Sequence, residues 1–271
     1  MNILALDTGG LVAPDAATIV AMRWDEGDDV SILALETIEE PRQLGAQLAA
    51  RLEEAVEKAG WDWPEVNGLV VGIGPGSWTS LRVGVATMKT LAQTLEIPLA
   101  AVPSFDSLAA AAHRALSEHE LESQSKSRKK KLSDTEPAPQ IMLTLAPCRP
   151  GELYGKIFLR TPHYLAAAQK EWIASAKMHT DAAYSQALSD GIEAPLILCG
   201  AGTDEASTFL ASRDEAHTVV EVDALQVAIE LAIAGAFQLA SDEVPELEEI
   251  APLYLAPSSA ERNREELLAT R

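Results

Sequence analysis

Hydrophobic residues in the first part of the chain recur at two spacings, one typical of strands and one typical of helices. Short apolar runs bounded by turn-forming residues predict strands at Asn2 to Leu6, Ala17 to Met22, Val30 to Thr37, Gly68 to Ile73 and Leu99 to Val102. Apolar residues three or four positions apart predict two amphipathic helices, with stripes formed by Leu44, Leu48, Leu52 and Val56 and by Leu81, Val85, Met88, Leu91 and Leu95. A third helix is predicted from Phe105 to Leu116. This order of elements predicts a mixed sheet with covering helices.

A polar segment, residues 117–139, separates this region from a second one. It is rich in Ser, Lys, Glu and Pro and lacks apolar periodicity, so we predict a flexible insertion. Beyond it, the pattern predicts strands at Ile141 to Leu145, Leu153 to Leu159 and Leu196 to Cys199, and helices at Ala166 to Ala176 and Ala224 to Ala240. The predicted organisation is an N-terminal lobe at 1–116, the insertion, a C-terminal lobe at 140–257 and a polar tail at 258–271.

Composition and charge narrow the class of protein. The 271 residues are 47% hydrophobic, enough to bury a core, and carry a formal net charge of −20. Such an acidic field repels phosphate backbones, so we expect any RNA contact to be made by a partner, although acidity also serves solubility alone. The basic cluster from Arg128 to Lys131 is either an RNA contact or part of an ordinary solvated linker.

Cysteine and histidine positions exclude several other classes. Cys148 and Cys199 lie far apart without metal-ligand spacing, and no two histidines lie one helical turn apart, so we predict neither a disulfide framework nor a metal site. The N-terminus has no basic segment before its short apolar run, and no apolar stretch is long enough to span a bilayer. We therefore expect a cytoplasmic protein without membrane contact.

Two glycine-containing turns are candidate binding sites. Asp7, Thr8, Gly9 and Gly10 follow the first strand, where small residues and backbone N–H groups let a phosphate approach, although a hairpin turn has the same composition. The second turn, Gly74 to Ser77, opens a helix whose first amides can hold an anion. It can equally pack against another chain, with Ser77 or Thr79 capping the helix and Arg82 pairing with an acid. It lacks the lysine of a Walker A loop.

Residues 74–109, GPGSWTSLRVGVATMKTLAQTLEIPLAAVPSFDSLA, resemble the TsaB (YeaZ) family, in which a GPGS(F/W)TG(L/V)R turn opens a helix. The resemblance extends to the opening strand with its DTG turn, to RPGELY at residues 149–154 in place of ARxGExY, and to PLYL at residues 252–255. The departures are Pro147 where Asp is usual, Ser80 where Gly is usual, Ala256 where Arg is frequent, and a helix near Pro41 without the His-Ser opening. The pattern is that of a divergent member.

The resemblance implies a two-lobed α/β fold of the actin-like ATPase (ASKHA) class and a non-catalytic scaffold subunit of the complex that makes threonylcarbamoyladenosine in tRNA. The implied partners are a TsaD-like catalytic subunit and a TsaE-like ATPase, with a homodimer as a further arrangement and tRNA bound only through the complex. No cofactor is expected for this chain, and ATP would bind at the complex. Asp7, Thr8, Gly9 and Gly10 would be a vestigial nucleotide loop, and no catalytic residue is assigned.

The same resemblance gives the helix stripes a second interpretation, because TsaB-like proteins pair through the first two helices of the N-terminal lobe. The candidate interface residues are Leu44, Leu48, Leu52, Val56, Gly74, Gly76, Ser77, Trp78 and Arg82. The alternative is that the leucine stripe simply covers the sheet. Ala46, Ala49, Ala50 and Ala55 would then supply a thin second apolar face.

Two enzymatic alternatives stay open. A nucleotide-dependent enzyme, an ATPase or an acyl transferase, needs acids that hold Mg²⁺ against phosphates, and Asp7 and Glu152 are the acids in motif-like positions. A peptidase needs a Ser/His/Asp or Cys/His set, which the local sequence does not suggest. Ser77 also lacks the GxSxG pattern of a nucleophile elbow.

Overall fold

The structure is a computed structural model that describes residues 1–12, 17–25, 30–126, 138–193, 195–241 and 244–255. The predicted basic cluster at Arg128 to Lys131 and the predicted polar tail at 258–271 lie outside the described residues. Among the described helices, none combines the length and the apolar character that crossing a membrane requires.

The first sheet has five strands, β1 (Asn2–Asp7), β2 (Ala17–Trp24), β3 (Val30–Ile38), β4 (Gly68–Gly72) and β5 (Leu99–Val102). Their order is β3-β2-β1-β4-β5, with β4 and β5 parallel to β1 and the β1–β2–β3 meander antiparallel. Helices α1 (Leu44–Lys58) and α2 (Trp78–Leu95) pack on one face. Strands β1 and β4 are apolar almost throughout because both faces of the sheet are covered.

The second sheet has the order β11-β10-β6-β7-β8, with β9 paired to β7. Its strands are β6 (Gln140–Arg149), β7 (Glu152–Thr161), β8 (Tyr164–Ala167), β9 (Trp172–Ala174), β10 (Leu196–Cys199) and β11 (His217–Val220). The remaining helices are α3 (Ser104–Lys126), α4 (Ala176–Ser189), α5 (Thr203–Ala211) and α6 (Ala224–Ala240). Helices α4 and α5 contribute to the hydrophobic cluster on one face of this sheet.

Each lobe takes one helix from the other half of the chain, which corrects the predicted division at residues 116 and 140. Helix α6 packs on the first sheet, where Leu231 and Ala232 cluster with Val70. Helix α3 packs on the second sheet, where Phe105 clusters with Met142. The apolar stripe of a helix specifies that one face is buried but not which sheet covers it, so the exchange could not be predicted from the pattern.

The helix predicted from Ala166 to Ala176 is wrong. Residues 164–167 pair with the end of β7, and residues 172–174 pair with its beginning. The helix starts at Ala176, where the Ser175 hydroxyl accepts a hydrogen bond from the Met178 N–H. The N-cap serine was therefore the local signal that the apolar pattern obscured.

Helix α3 does not end at Leu116 but continues to Lys126, into the segment predicted as a flexible insertion. Its extra turns meet Arg160 of β7, whose side chain is fully buried. The Arg160 guanidinium donates to the Glu120 carboxylate at 3.0 and 3.2 Å, to the Ser117 hydroxyl at 3.4 Å and to the Gln140 side chain. A buried cation needs such partners, so polar residues order this part of the helix where apolar ones are lacking.

We expect Glu120→Ala to lower the free energy of unfolding by about 2 kcal/mol, because the buried Arg160 guanidinium loses its charged partner. The matched control is Asp181→Ala, which removes an ion pair to Arg213 whose side chains are 44% and 45% exposed, and which should cost less than about 1 kcal/mol. Urea denaturation of both variants checks the difference. Equal losses would contradict a special role for the Arg160 cluster.

Candidate functional site

The two glycine-containing turns meet at one edge of the first sheet. Strands β1 and β4 are parallel neighbours, so the turns that follow Asp7 and Gly72 lie side by side. The contact between them is so close that a Cβ on Gly76 would lie 2.2 Å from the carbonyl oxygen of Gly9. The backbones therefore touch, and no phosphate fits between them.

Asp7 joins these turns to the start of α3. Its carboxylate accepts hydrogen bonds from the Gly9 N–H at 3.0 Å and from the Ser104 hydroxyl at 3.2 Å. The Ser104 oxygen in turn accepts from the Gly74 N–H at 3.2 Å. Burial raises the pKa of Asp7, against the lowering effect of these hydrogen bonds. Ser104, which is fully buried, was not predicted as a site residue, although its place at the start of a helix after a strand was a signal.

Part of the predicted nucleotide loop lines a small cavity beside α6. Asp7 and Gly10 line a cavity of about 10 Å³ together with Ala224 and Val227 of α6. This volume corresponds to about one water molecule and not to a nucleotide. Thr8 is buried nearby, against Gly84 of α2.

The start of α2 is held in a way that the sequence did not predict. Ser77 occupies the N-cap position but makes no side-chain capping bond, and its hydroxyl accepts from the Ser80 hydroxyl at 3.0 Å. Among the described residues, the partners of Arg82 are not acids: its Nε donates to the Tyr254 hydroxyl at 2.9 Å, and its guanidinium carbon lies 4.3 Å from the centroid of the Trp78 ring. The expected capping bond of Ser77 is therefore replaced by a contact with Ser80, and the expected ion pair of Arg82 is replaced by contacts with Tyr254 and Trp78.

Trp78, Arg82 and Tyr254 form a stacked cluster on the surface at the start of α2. The ring centroids of Trp78 and Tyr254 lie 4.0 Å apart with an interplanar angle of 35°. Tyr254 was quoted in the sequence only as part of a motif, and its contact with α2 spans 172 positions of the chain. A separation of this size leaves no local signal for the contact.

The predicted leucine stripe of α1 does not face a partner. Leu44, Leu48, Leu52 and Val56 are each at most 2% exposed and belong to the core beneath the first sheet. This corrects their assignment to an interface, because residues at this spacing cover the sheet first.

The outer faces of α1 and α2 are instead made mostly of small residues. On α1 the exposed positions are Gly45, Ala46, Ala49 and Ala50 in its first half and Glu53, Glu57 and Lys58 in its second half, whereas Ala55, which was expected on this face, is buried. On α2 they include Thr79, Ala86 and Thr90, beside the half-buried Val83.

The acid proposed for the second lobe is engaged in a turn. Glu152 pairs with the Arg149 Nε at 2.5 Å across the β6–β7 hairpin. Asp7 accepts hydrogen bonds from Gly9 and Ser104 in a different part of the structure, so the two acids do not form one site. Within the part of the chain that the structure describes, no group of His, Cys, Asp and Glu has the arrangement of a metal site.

The structure does bring together a serine–histidine pair that the sequence did not suggest. The Ser207 hydroxyl lies 2.6 Å from Nε2 of His217, and the other ring nitrogen lies 3.1 Å from the Glu215 backbone carbonyl. Ser207 lies inside α5, where its backbone N–H belongs to the helix and cannot act as an oxyanion donor. The pair therefore ties α5 to β11 and lacks the geometry of a peptidase site.

Comparison with known proteins finds similarity to a TsaD family model and to TsaB proteins. Residues 40–121, which span α1, α2 and most of α3, match the family model described as TsaD: tRNA N6-adenosine threonylcarbamoyltransferase. The TsaB biosynthesis protein of Bacillus subtilis (strain 168) is 50% identical over 46 residues, 17% of this chain and 20% of that protein. The TsaB protein of Escherichia coli (strain K12) is 28% identical over 114 residues, 42% of this chain and 45% of that protein. These alignments span less than half of each relative's length.

The solved structure of YeaZ from Pseudomonas aeruginosa matches over 94% of this chain and 99% of that chain, with a TM-score of 0.62 and 20% sequence identity. The molecule therefore has the two-lobed α/β fold of that protein, as the sequence predicted. The resemblance to TsaB proteins is confirmed by the two TsaB relatives, each over part of its length, and by this fold.

We expect Gly76→Ala to lower the free energy of unfolding by about 3 kcal/mol, because the new Cβ displaces the Gly9 backbone. Gly45→Ala is the matched control, since a Cβ there meets nothing within 4 Å, and it should raise the free energy by up to about 1 kcal/mol. Chemical denaturation measures both. A small cost at Gly76 would mean that the turns are not in close contact.

We expect Asp7→Asn to be at least as stable as the wild type at pH 7. A carboxyl with a raised folded pKa contributes stability below its unfolded pKa of about 3.8 and loses that contribution as the pH rises through its folded pKa. Asparagine stays neutral and offers an acceptor oxygen in the same place. The stability of the variant relative to the wild type should therefore decrease as the pH falls. Thermal unfolding at pH 4 and pH 7 tests this, and a large loss at pH 7 would show that the charge itself is needed.

Proposed function

We propose that the chain is a non-catalytic subunit of the machinery that makes threonylcarbamoyladenosine in tRNA, and that it docks to a TsaD-like catalytic subunit. The docking surface consists of the outer faces of α1 and α2 with the Trp78, Arg82 and Tyr254 cluster at one end. The observation that carries the proposal is the pair of adjacent helices whose outer faces are made mostly of small residues while their large apolar residues are buried in the chain's own core.

Small side chains favour such a pairing because the distance between packed helices depends on the side chains at the contact. Ala46, Ala49 and Ala50 let a second helix approach α1, and Ala86 and Thr90 do the same on α2. The exposed Arg82 and Tyr254 and the half-buried Trp78 are of the residue types that contribute most to binding at interfaces. Residues 40–121, the part matched by the family model, contain both helices.

The non-catalytic part of the proposal is supported by the small cavity that Asp7 and Gly10 line. One oxygen of the Asp7 carboxylate already accepts two hydrogen bonds, and the adjoining cavity holds about one water molecule. ATP would accordingly bind at the complex and not in this chain. A TsaE-like ATPase and tRNA are then partners of the complex, and without the catalytic subunit the same helix faces are free to pair with a second copy of the chain.

We expect Ala49→Arg and Ala86→Arg, alone and combined, to weaken binding to the TsaD-like protein of the same organism by at least tenfold each, because a long charged side chain separates the helices. Both positions are exposed, so the fold should be preserved, which circular dichroism can verify. The measurement is the dissociation constant by biolayer interferometry.

Ala211→Arg is the matched control, since this alanine is an exposed helical residue of the second lobe. It should bind like the wild type. If all three variants bind equally well, the docking surface lies elsewhere. If the wild type forms only a homodimer, and Ala49→Arg and Ala86→Arg abolish that homodimer, the outer faces of α1 and α2 pair two copies of this chain instead.

A further inference from the structure

The segment at residues 247–255 lies against the first lobe although it follows α6 at the end of the described chain. Ile250 is buried in the core cluster that contains α1 and α2, and Leu247 packs against the same cluster. The Leu253 N–H donates to the Ile73 carbonyl at 2.7 Å, directly after β4. The Lys89 ammonium donates to the Ile250 carbonyl at 2.9 Å, halfway along α2. We call residues 247–255 the strap.

The strap ends on the first turn of α2. Tyr254 stacks on Trp78, accepts a hydrogen bond from Arg82 and is still 42% exposed. The guanidinium carbon of Arg82 lies 4.3 Å from the Trp78 ring centroid and 5.4 Å from that of Tyr254. The Trp78 and Arg82 side chains of the proposed docking cluster are therefore both held in place by Tyr254 of the strap.

The first turn of α2 depends on this contact more than an ordinary helix start does. No side chain caps it, and no acidic residue lies in its first turn to interact with the helix dipole. On its other side, Gly76 rests on the Gly9 backbone. The turn thus lies between the β1 turn with Ser104 on one side and the strap on the other, and the strap contacts the Trp78 and Arg82 side chains.

We infer that the strap fixes the glycine-rich turn and the start of α2 in the conformation that docks, with Tyr254 as the positioning residue that acts through Trp78 and Arg82. The inference rests on the proposed function for what the surface binds. Its structural part stands on the contacts within this chain. A partner that presents a carboxylate or a backbone carbonyl to Arg82 would find the guanidinium already oriented, which reduces the entropy lost on binding.

The first test uses the isolated full chain, so that it does not depend on any partner. Hydrogen exchange of the hydrogen-bonded amides of Gly74 and Leu81 should be at least about tenfold faster in Tyr254→Ala than in the wild type, and intermediate in Tyr254→Phe, which keeps the stacking but loses the hydroxyl. Tyr164→Ala, which removes an exposed tyrosine of the second lobe, should leave these amides unchanged. Unchanged exchange in Tyr254→Ala would overturn the inference.

The second test is a double-mutant cycle on affinity for the TsaD-like protein. Tyr254→Ala and Arg82→Ala should each weaken binding about tenfold, and the double variant should be no weaker than the poorer single one, because Tyr254 acts through Arg82. Fully additive losses would overturn the positioning role. If the wild type does not bind, the proposed function fails, whereas the exchange measurement still decides whether the strap fixes the turn.

Discussion

The backbone contact between Gly9 and Gly76 constrains the rest of the N-terminal lobe. It brings the turns after β1 and β4 together, closes the place where a phosphate would enter, and sets the position from which α2 starts. Asp7 and the buried Ser104 hold the same junction by hydrogen bonds to both turns. Where the sequence suggested a phosphate loop, the two turns are packed against each other.

The two lobes exchange elements. Helix α3 covers the second sheet, α6 covers the first, and the strap returns to α2. Each lobe therefore needs residues from both halves of the chain to complete its core. This arrangement explains why the surface at the start of α2 is built from residues 172 positions apart.

The elements that the sequence predicted correctly are those with a strong local signal. The strands of the first sheet and the stripes of α1 and α2 follow from burial of one or both faces, and the Gly74 to Ser77 turn follows from its glycines. The errors share a non-local cause. The buried Arg160 pairs with polar residues of α3 beyond Leu116, residues 164–167 and 172–174 pair with β7, and Tyr254 lies beside Arg82 where an acid was expected. The leucine stripe was recognised, but its use was misassigned because a pattern does not identify what covers it.

The most direct test of the account is light scattering of the purified chain mixed with the TsaD-like protein of the same organism, with and without ATP, beside each protein alone and with ATP turnover measured in parallel. The account predicts a stable complex of the two proteins and no ATP turnover by this chain alone. The proposed function would be contradicted if the chain did not bind the TsaD-like protein and hydrolysed ATP by itself. The small cavity beside Asp7 would then have to open for a nucleotide.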